Sequence, residues 1–393
     1  MFDPYQIRQD FPVLENVVYL DSAATTQTPR QVVEAMSDYF FKYAGNYGRG
    51  AHRLARETTN HYEDAREMVA GFLGGDYGHT VFTRNTTESI NMVAHGLDWE
   101  AGDHIVTTLV EHHSNLLPWF RLKEKGVEVT VVDPDQYGMV DPKHIAAVIN
   151  DKTKLIAITH VSNVFASIMD VEEITRIAHN NGCLALVDAA QSVGHMPFDV
   201  SKVDCDFLAV PGHKGLLGPQ GTGVLYIKDT ESIKPTYIGG GTVFAVSEDS
   251  YELEEAPGRF EAGTPNIPGV IGLGRGVEYV KDLGISDIER HEVALARDAA
   301  KRLAEIDKVE VYGPPDRAAV VPFNVIGLNP HDVAMILDET RKICVRSGHH
   351  CAIPSIHFLK VDGTVRASFG AYNIPEEVDL LVDTVEQIAT SLT

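Results

Sequence analysis

Over residues 17–228, short runs of apolar and β-branched residues alternate with stretches of helical spacing, the pattern of strands joined by crossover helices. Ile105-Val106-Thr107-Thr108, residues 127–132, residues 155–159 and Leu184-Ala185-Leu186-Val187 read as strands of a parallel sheet. Residues 171–181 carry helical spacing between two of them. Past Lys228 the signal changes. Gly239-Gly240-Gly241 and Ala256-Pro257-Gly258 punctuate an irregular stretch, and long helical patterns follow near residues 270–283 and 288–306. Strand-like runs at 309–312, 320–325 and 365–368 precede a closing helix from Pro375. The pattern predicts an α/β protein: a large domain over residues 16–270 and a smaller α+β C-terminal domain over 271–393, joined by an N-terminal arm of residues 1–15.

Length agrees with two units, since 393 residues exceed what one hydrophobic core ordinarily serves. With 44% hydrophobic and 23% charged residues, the chain has the composition of a globular protein. Its 56 acidic against 33 basic residues give a formal charge of −23, which would repel nucleic acid and anionic lipid and argues against a polyanionic partner. The opening Met1-Phe2-Asp3-Pro4-Tyr5-Gln6 has neither a basic nor an apolar targeting region, so a cytoplasmic protein is expected. Cys183, Cys205, Cys344 and Cys351 show no CxxC spacing, and neither a disulfide framework nor a metal site is expected.

Three places carry candidate chemistry. The run from Asp206 to Lys214 reads as a strand that delivers His213 and Lys214 into the glycine-rich turn Gly215-Leu216-Leu217-Gly218, where open α/β sheets place ligands. A lysine desolvated there can act as a nucleophile toward an aldehyde, although a solvated lysine after a strand is the plainer reading. The apolar strand at 184–187 ends in Asp188-Ala189-Ala190-Gln191. An acid at that position needs a cationic or hydrogen-bonding partner, a pyridinium N–H being one; capping the next helix is the plainer alternative. Thr83-Arg84-Asn85-Thr86-Thr87-Glu88 precedes a helical pattern and offers hydroxyls and free amides suited to phosphate, or else a simple N-cap.

Taken with Tyr19-Leu20-Asp21-Ser22-Ala23-Ala24, Glu111-His112-His113-Ser114-Asn115, His160-Val161-Ser162-Asn163, Phe260 to Asn266, Arg346 to Ala352 and Arg366-Ala367-Ser368, this ordered set resembles the class V aminotransferase family. Within it, the chain is similar to the short-loop cysteine desulfurases and selenocysteine lyases. The resemblance implies a fold-type I pyridoxal 5'-phosphate enzyme, with Lys214 holding the cofactor and acting as base, His112 stacking on its ring, Asp188 on its pyridine nitrogen and Gln191 on its hydroxyl. Thr86, Thr87 and His213 would hold the phosphate, and Thr264 would enter from the neighbouring subunit of a homodimer. Arg366 would clamp the substrate carboxylate, with Asn163 nearby.

Cys351 follows Gly348-His349-His350 in a polar setting that favours a thiolate, whereas Cys183 and Cys344 lie in apolar runs and read as small buried hydrophobes. Three adjacent side chains rarely converge on one ion, which disfavours His-His-Cys as a metal site. The resemblance implies that L-cysteine is converted to L-alanine, with Cys351 taking the sulfur as a persulfide for iron–sulfur cluster or other sulfur-transfer pathways. A SufE-like or SufU-like partner, a scaffold or a small thiol would then receive it. Selenocysteine lyase, a class V lyase or aminotransferase in which Cys351 is incidental, and a non-catalytic scaffold are the alternatives. Two departures stand out: Pro211-Gly212-His213-Lys214 lacks the family's hydroxyl at residue 211, with a turn after Lys214 that is one residue longer. No histidine precedes the Arg49-Gly50 pair.

Overall fold

Seven strands share one sheet because most of their side chains are apolar and water-excluded on both faces, the condition that makes crossover-linked strands stable. The computed structural model describes residues 2–48 and 50–392, so Arg49 lies outside the described residues. The strand order is Thr80–Thr83, Gly223–Ile227, Phe207–Pro211, Leu184–Asp188, Thr153–Thr159, His104–Thr108 and Glu128–Val132. Gly223–Ile227 runs antiparallel to both its neighbours, and every other pairing in this sheet is parallel. Thr159 lies opposite Asp188, and Asp188 opposite Ala209, so the carboxyl ends of three central strands fall side by side.

The helix Ile267–Leu283 packs across the helices Arg53–Leu73 and Arg30–Asp38. Glycine permits the close approach: a Cβ on Gly274 would stand 2.6 Å from the Cβ of Ala65. Residue 270, where the apolar pattern places a division, lies inside this helix. The chain leaves it at Gly284, whose φ is +87°, and enters the helix Ile285–Ala304.

A second sheet orders Val309–Val311, Val320–Val325, Thr364–Ser368 and Arg346–Gly348, all antiparallel. Leu295, Leu303, Phe323, Val365, Leu381 and Val385 bury its covered face under flanking helices. The expected mostly parallel sheet with a smaller α+β unit is what the chain adopts. Among the elements that escaped the pattern reading are the helix Pro330–Arg341 and the short strand Val18–Tyr19, which pairs in parallel with Ile343–Cys344.

The N-terminal segment laces the two sheets together. Phe11 packs on Tyr372 at 4.8 Å between ring centroids, Arg8 pairs with Glu377 at 2.8 Å, and Asp21 bridges to Ser368. The segment then reaches the first sheet, where Thr26 N–H donates to the His213 carbonyl at 2.9 Å and Thr26 Oγ1 donates to the Lys214 carbonyl at 2.8 Å.

Arg66 anchors the same layer from the other side. Only 1% exposed, it forks onto Glu261 at 2.5 and 3.0 Å and donates to the Thr80 carbonyl at 2.9 Å. Glu261 also accepts from the Phe82 N–H at 2.7 Å. Removing one member of a buried ion pair strands the other, at a cost of about 3–5 kcal/mol. Arg66→Ala is therefore expected to lower the thermal unfolding midpoint clearly, whereas substitution of the exposed Arg176 leaves it nearly unchanged; calorimetry of the two variants checks this.

Candidate active site

At the carboxyl edge of the central strands lies a cavity of about 180 Å³. Its wall includes Thr86, Thr87, His112, Asn163, Asp188, Gln191, His213, Lys214 and Arg366, nine of the expected site residues brought together from across the chain. Cys351 is not in the wall but stands exposed next to it, since its neighbour His350 lines the cavity. Thr264 is elsewhere on this chain, exposed on the loop after Glu261.

Asp188 ends its strand fully buried and accepts the Ala190 N–H at 2.9 Å. Burial pushes its carboxyl up to about 6, opposed by that hydrogen bond and by Lys214. Lys214 follows the neighbouring strand. Burial lowers its ammonium to about 8, with Asp188 opposing and Arg366 and Arg346 reinforcing the shift. The turn that carries it needs glycine: a Cβ on Gly212 would fall 2.1 Å from Thr222 Oγ1, and one on Gly215 would fall 2.4 Å from the Val193 carbonyl oxygen.

The second wall is made by the helix Thr86–Gly96. Asn85 caps it, its Oδ1 accepting from the Glu88 N–H at 3.0 Å. The first-turn N–H groups have no intrahelical acceptor and attract anions. Thr86 Oγ1 and His213 Nδ1 are buried with no partner among the described residues, an arrangement that a polar ligand would complete. Burial keeps the His213 imidazole neutral, down at about 4.

His112 Nδ1 accepts the Ser114 N–H at 3.1 Å, which places its proton on Nε2, and burial lowers its pKa to about 3. Beneath it, the buried Glu111 accepts from Asn115 Nδ2 and Thr108 Oγ1 at 2.6 Å and from the Thr159 N–H at 3.0 Å. These bonds fix the turn that presents His112; burial nonetheless pushes the Glu111 carboxyl up to about 8. Gln191 is oriented by donating from Nε2 to the Ala23 carbonyl at 2.8 Å.

The second sheet supplies the third wall. Arg346 and Arg366 are directly opposed in antiparallel register and both face the cavity. Like charges so placed repel, and the ion pair of Arg366 Nη2 with Asp21 Oδ1 at 3.2 Å offsets part of that. Arg366 Nη1 donates to the Asn163 carbonyl at 3.1 Å, and its Nε is buried without a partner among the described residues. Burial lowers the guanidinium to about 10, Asp21 opposing. Two arginines and a free donor make a site for a carboxylate.

A model of the class-V aminotransferases matches residues 18–381. The chain belongs to that family. It is 50% identical over 389 residues to a probable cysteine desulfurase of Methanothermobacter thermautotrophicus, covering 98% of this chain and 97% of the relative. Among solved structures, the apo cysteine desulfurase from Thermococcus onnurineus NA1 superposes with a TM-score of 0.97 at 47% identity, covering 100% and 99% of the two chains. The cysteine desulfurase CsdA in its S-sulfonic acid form from Escherichia coli gives 0.93 at 37% identity, with both chains fully covered.

The cavity fits the family's pyridoxal 5'-phosphate on its own chemistry. A buried lysine amine, a strand-end acid and orphaned hydroxyl and imidazole groups at a helix N-terminus match an aldehyde, a pyridine nitrogen and a phosphate. Motif reading assigned no role to Asp21, Glu111, Ser114, Arg346 or His350. All five stood inside quoted motifs, but their work is done on other side chains, which a linear pattern does not display. Of the remaining cysteines, Cys183 and Cys205 are buried, and Cys344 is half-buried where an apolar burial was expected. No helix of the described residues is long and apolar enough to cross a membrane.

The lowered pKa of Lys214 has a measurable sign. The amine, not the ammonium, attacks an aldehyde, so its reactive fraction rises as pH climbs through the folded pKa. Cofactor uptake by the apoprotein is expected to accelerate through about pH 8, not the ordinary lysine value of 10.5. Stopped-flow absorbance across pH 6.5–9.5 would check this range, which spans about 1.5 units on each side of 8.

Proposed function

We infer that this chain is a pyridoxal-phosphate-dependent cysteine desulfurase, which converts L-cysteine to L-alanine and passes the sulfur to Cys351. The observation that carries the reading is the Cys351 loop. Cys351 is exposed, and its Sγ lies 4.0 Å from Nη2 of Arg346, a residue of the cavity wall. The relatives named above support the chemistry.

The loop holds the cysteine out at some cost. Gly348, His350 and Cys351 have φ of +103°, +52° and +56°. For the two non-glycine residues that conformation costs about 1–2 kcal/mol each. Four hydrogen bonds offset it: Asn163 Nδ2 to the His350 carbonyl at 2.8 Å, His350 Nε2 with Thr364 Oγ1 at 2.8 Å, the His113 N–H to the Cys351 carbonyl at 2.8 Å, and the Ile353 N–H to His113 Nε2 at 3.1 Å.

Pyridoxal phosphate, when bound, supplies the electron sink that loosens bonds around the substrate α-carbon. Arg366, braced by Asp21 and the Asn163 carbonyl, binds the substrate carboxylate. Lys214 takes the α-proton as its amine, and Asp188 offers negative charge to the pyridine nitrogen. Cys351 Sγ then attacks the substrate sulfur. As the S–S bond forms, the electron pair of the Cβ–S bond stays with carbon, which takes a proton to give alanine. Thr86, Thr87 and His213 would hold the phosphate, and His112 would lie against the ring.

Thr264, exposed and not among the residues that line this chain's own cavity, supports a homodimer in which it completes the neighbouring site. The exposure of Cys351 supports onward transfer to an external sulfur acceptor, a SufE-like or SufU-like protein or a scaffold. Four free cysteines support a reducing compartment, the cytoplasm.

Replacing Cys351 by Ser is expected to leave the cofactor's visible absorbance band intact while reducing alanine release from cysteine by at least about 100-fold, the scale of losing a nucleophile. Undiminished alanine release would assign Cys351 no part in turnover. Arg366→Ala should raise KM for cysteine through loss of the carboxylate contact, read from steady-state kinetics.

A further inference from the structure

Among the described residues, the phosphate wall of the cavity has no free cation of its own. Arg84, at the same helix end, is 70% exposed and paired with Glu88 at 2.7 Å, and it is absent from the cavity lining. Pro211 does face the cavity but brings neither N–H nor hydroxyl. Asn85 Oδ1 is engaged in capping. Among the described residues, this wall offers the first-turn amides, the Asn85 side-chain NH2, the unpartnered hydroxyl of the 7% exposed Thr86, His213, and the hydroxyls of Thr87 and Ser114.

Ser114 reaches this wall from a different part of the chain, the short 3-10 turn His113–Asn115. Its Oγ lies 2.6 Å from Thr87 Oγ1 and 3.0 Å from His112 Nδ1. The imidazole Nδ1 has one lone pair, and the Ser114 N–H already donates to it. The shorter hydroxyl contact is therefore the principal one. Two hydroxyls in contact spend one proton on each other and leave the second free to donate outward.

We propose that Ser114 is a cofactor-binding residue: with Thr87 it forms a hydroxyl pair that donates to the phosphate, in place of any contribution from Pro211. The inference rests on the pyridoxal-phosphate reading and names a further residue of that site. Ser114 thereby connects the anion wall to the turn that carries His112.

The test uses apoprotein of the wild type, Ser114→Ala and Ser114→Thr, with fold checked by circular dichroism. Three quantities are measured: affinity for pyridoxal phosphate, competition of inorganic phosphate against its rebinding, and capture of unphosphorylated pyridoxal by Lys214. Ser114→Ala should weaken pyridoxal phosphate and inorganic phosphate by about tenfold each, the scale of one hydrogen bond to a charged group, and leave pyridoxal capture unchanged. Ser114→Thr, which keeps the hydroxyl, should stay within about threefold of the wild type, below one tenfold step in affinity. Unchanged affinity in Ser114→Ala overturns the proposal. So does an equal loss for pyridoxal and its phosphate, which would assign Ser114 to positioning His112 alone. Failure of the wild-type apoprotein to take up pyridoxal phosphate would instead sink the cofactor reading itself.

Discussion

Everything in the site follows from burying ionisable groups at one edge of a sheet. Asp188 ends one strand and Lys214 follows the end of the parallel strand beside it, and burial drives each toward its neutral form while each opposes the shift in the other. Removal of charge from water is what makes a lysine reactive near neutral pH and an acid sensitive to a pyridine nitrogen. A solvated pair would have neither property. The apolar strands behind them are therefore part of the chemistry, because they exclude the water that would restore ordinary pKa values.

The second sheet extends the same logic to the substrate. Arg346 and Arg366 stand opposite one another where repulsion disfavours them, and Asp21 arrives from the N-terminal segment to compensate. That segment also holds the backbone of His213 and Lys214. One stretch of chain thus sets the lysine turn and the arginine pair together. The Cys351 loop leaves the strand that carries Arg346 and is tied to the first sheet through Asn163 and His113. Its left-handed residues are held by bonds from both sheets, and the thiol is fixed close to the cavity while open to solvent.

Much of this was legible in the sequence because period and position survive in one dimension. Strand ends bearing Asp188 and Lys214, the Thr86-Thr87 turn and the late cysteine loop could all be placed from apolar runs and punctuation. The antiparallel strand Gly223–Ile227 and the parallel pair of Val18–Tyr19 with Ile343–Cys344 were not, since pairing direction depends on residues far apart. Asp21 and Glu111 escaped for a related reason. Each is a carboxylate whose partners, Arg366 in one case and Thr108, Thr159 and Asn115 in the other, are fixed by the fold. Pro211 was legible as a departure, but its consequence for the phosphate wall depends on Ser114, which only the folded chain brings to Thr87.

The central claim, that a cofactor cavity at Lys214 works with a thiol held beside it at Cys351, is tested most directly by mass spectrometry of the holoenzyme after a single turnover with L-cysteine, with alanine measured in the same sample. The account predicts one additional sulfur on the peptide containing Cys351 and one alanine per loaded site. An unmodified Cys351 with no alanine formed, in protein carrying its full complement of cofactor, would contradict it.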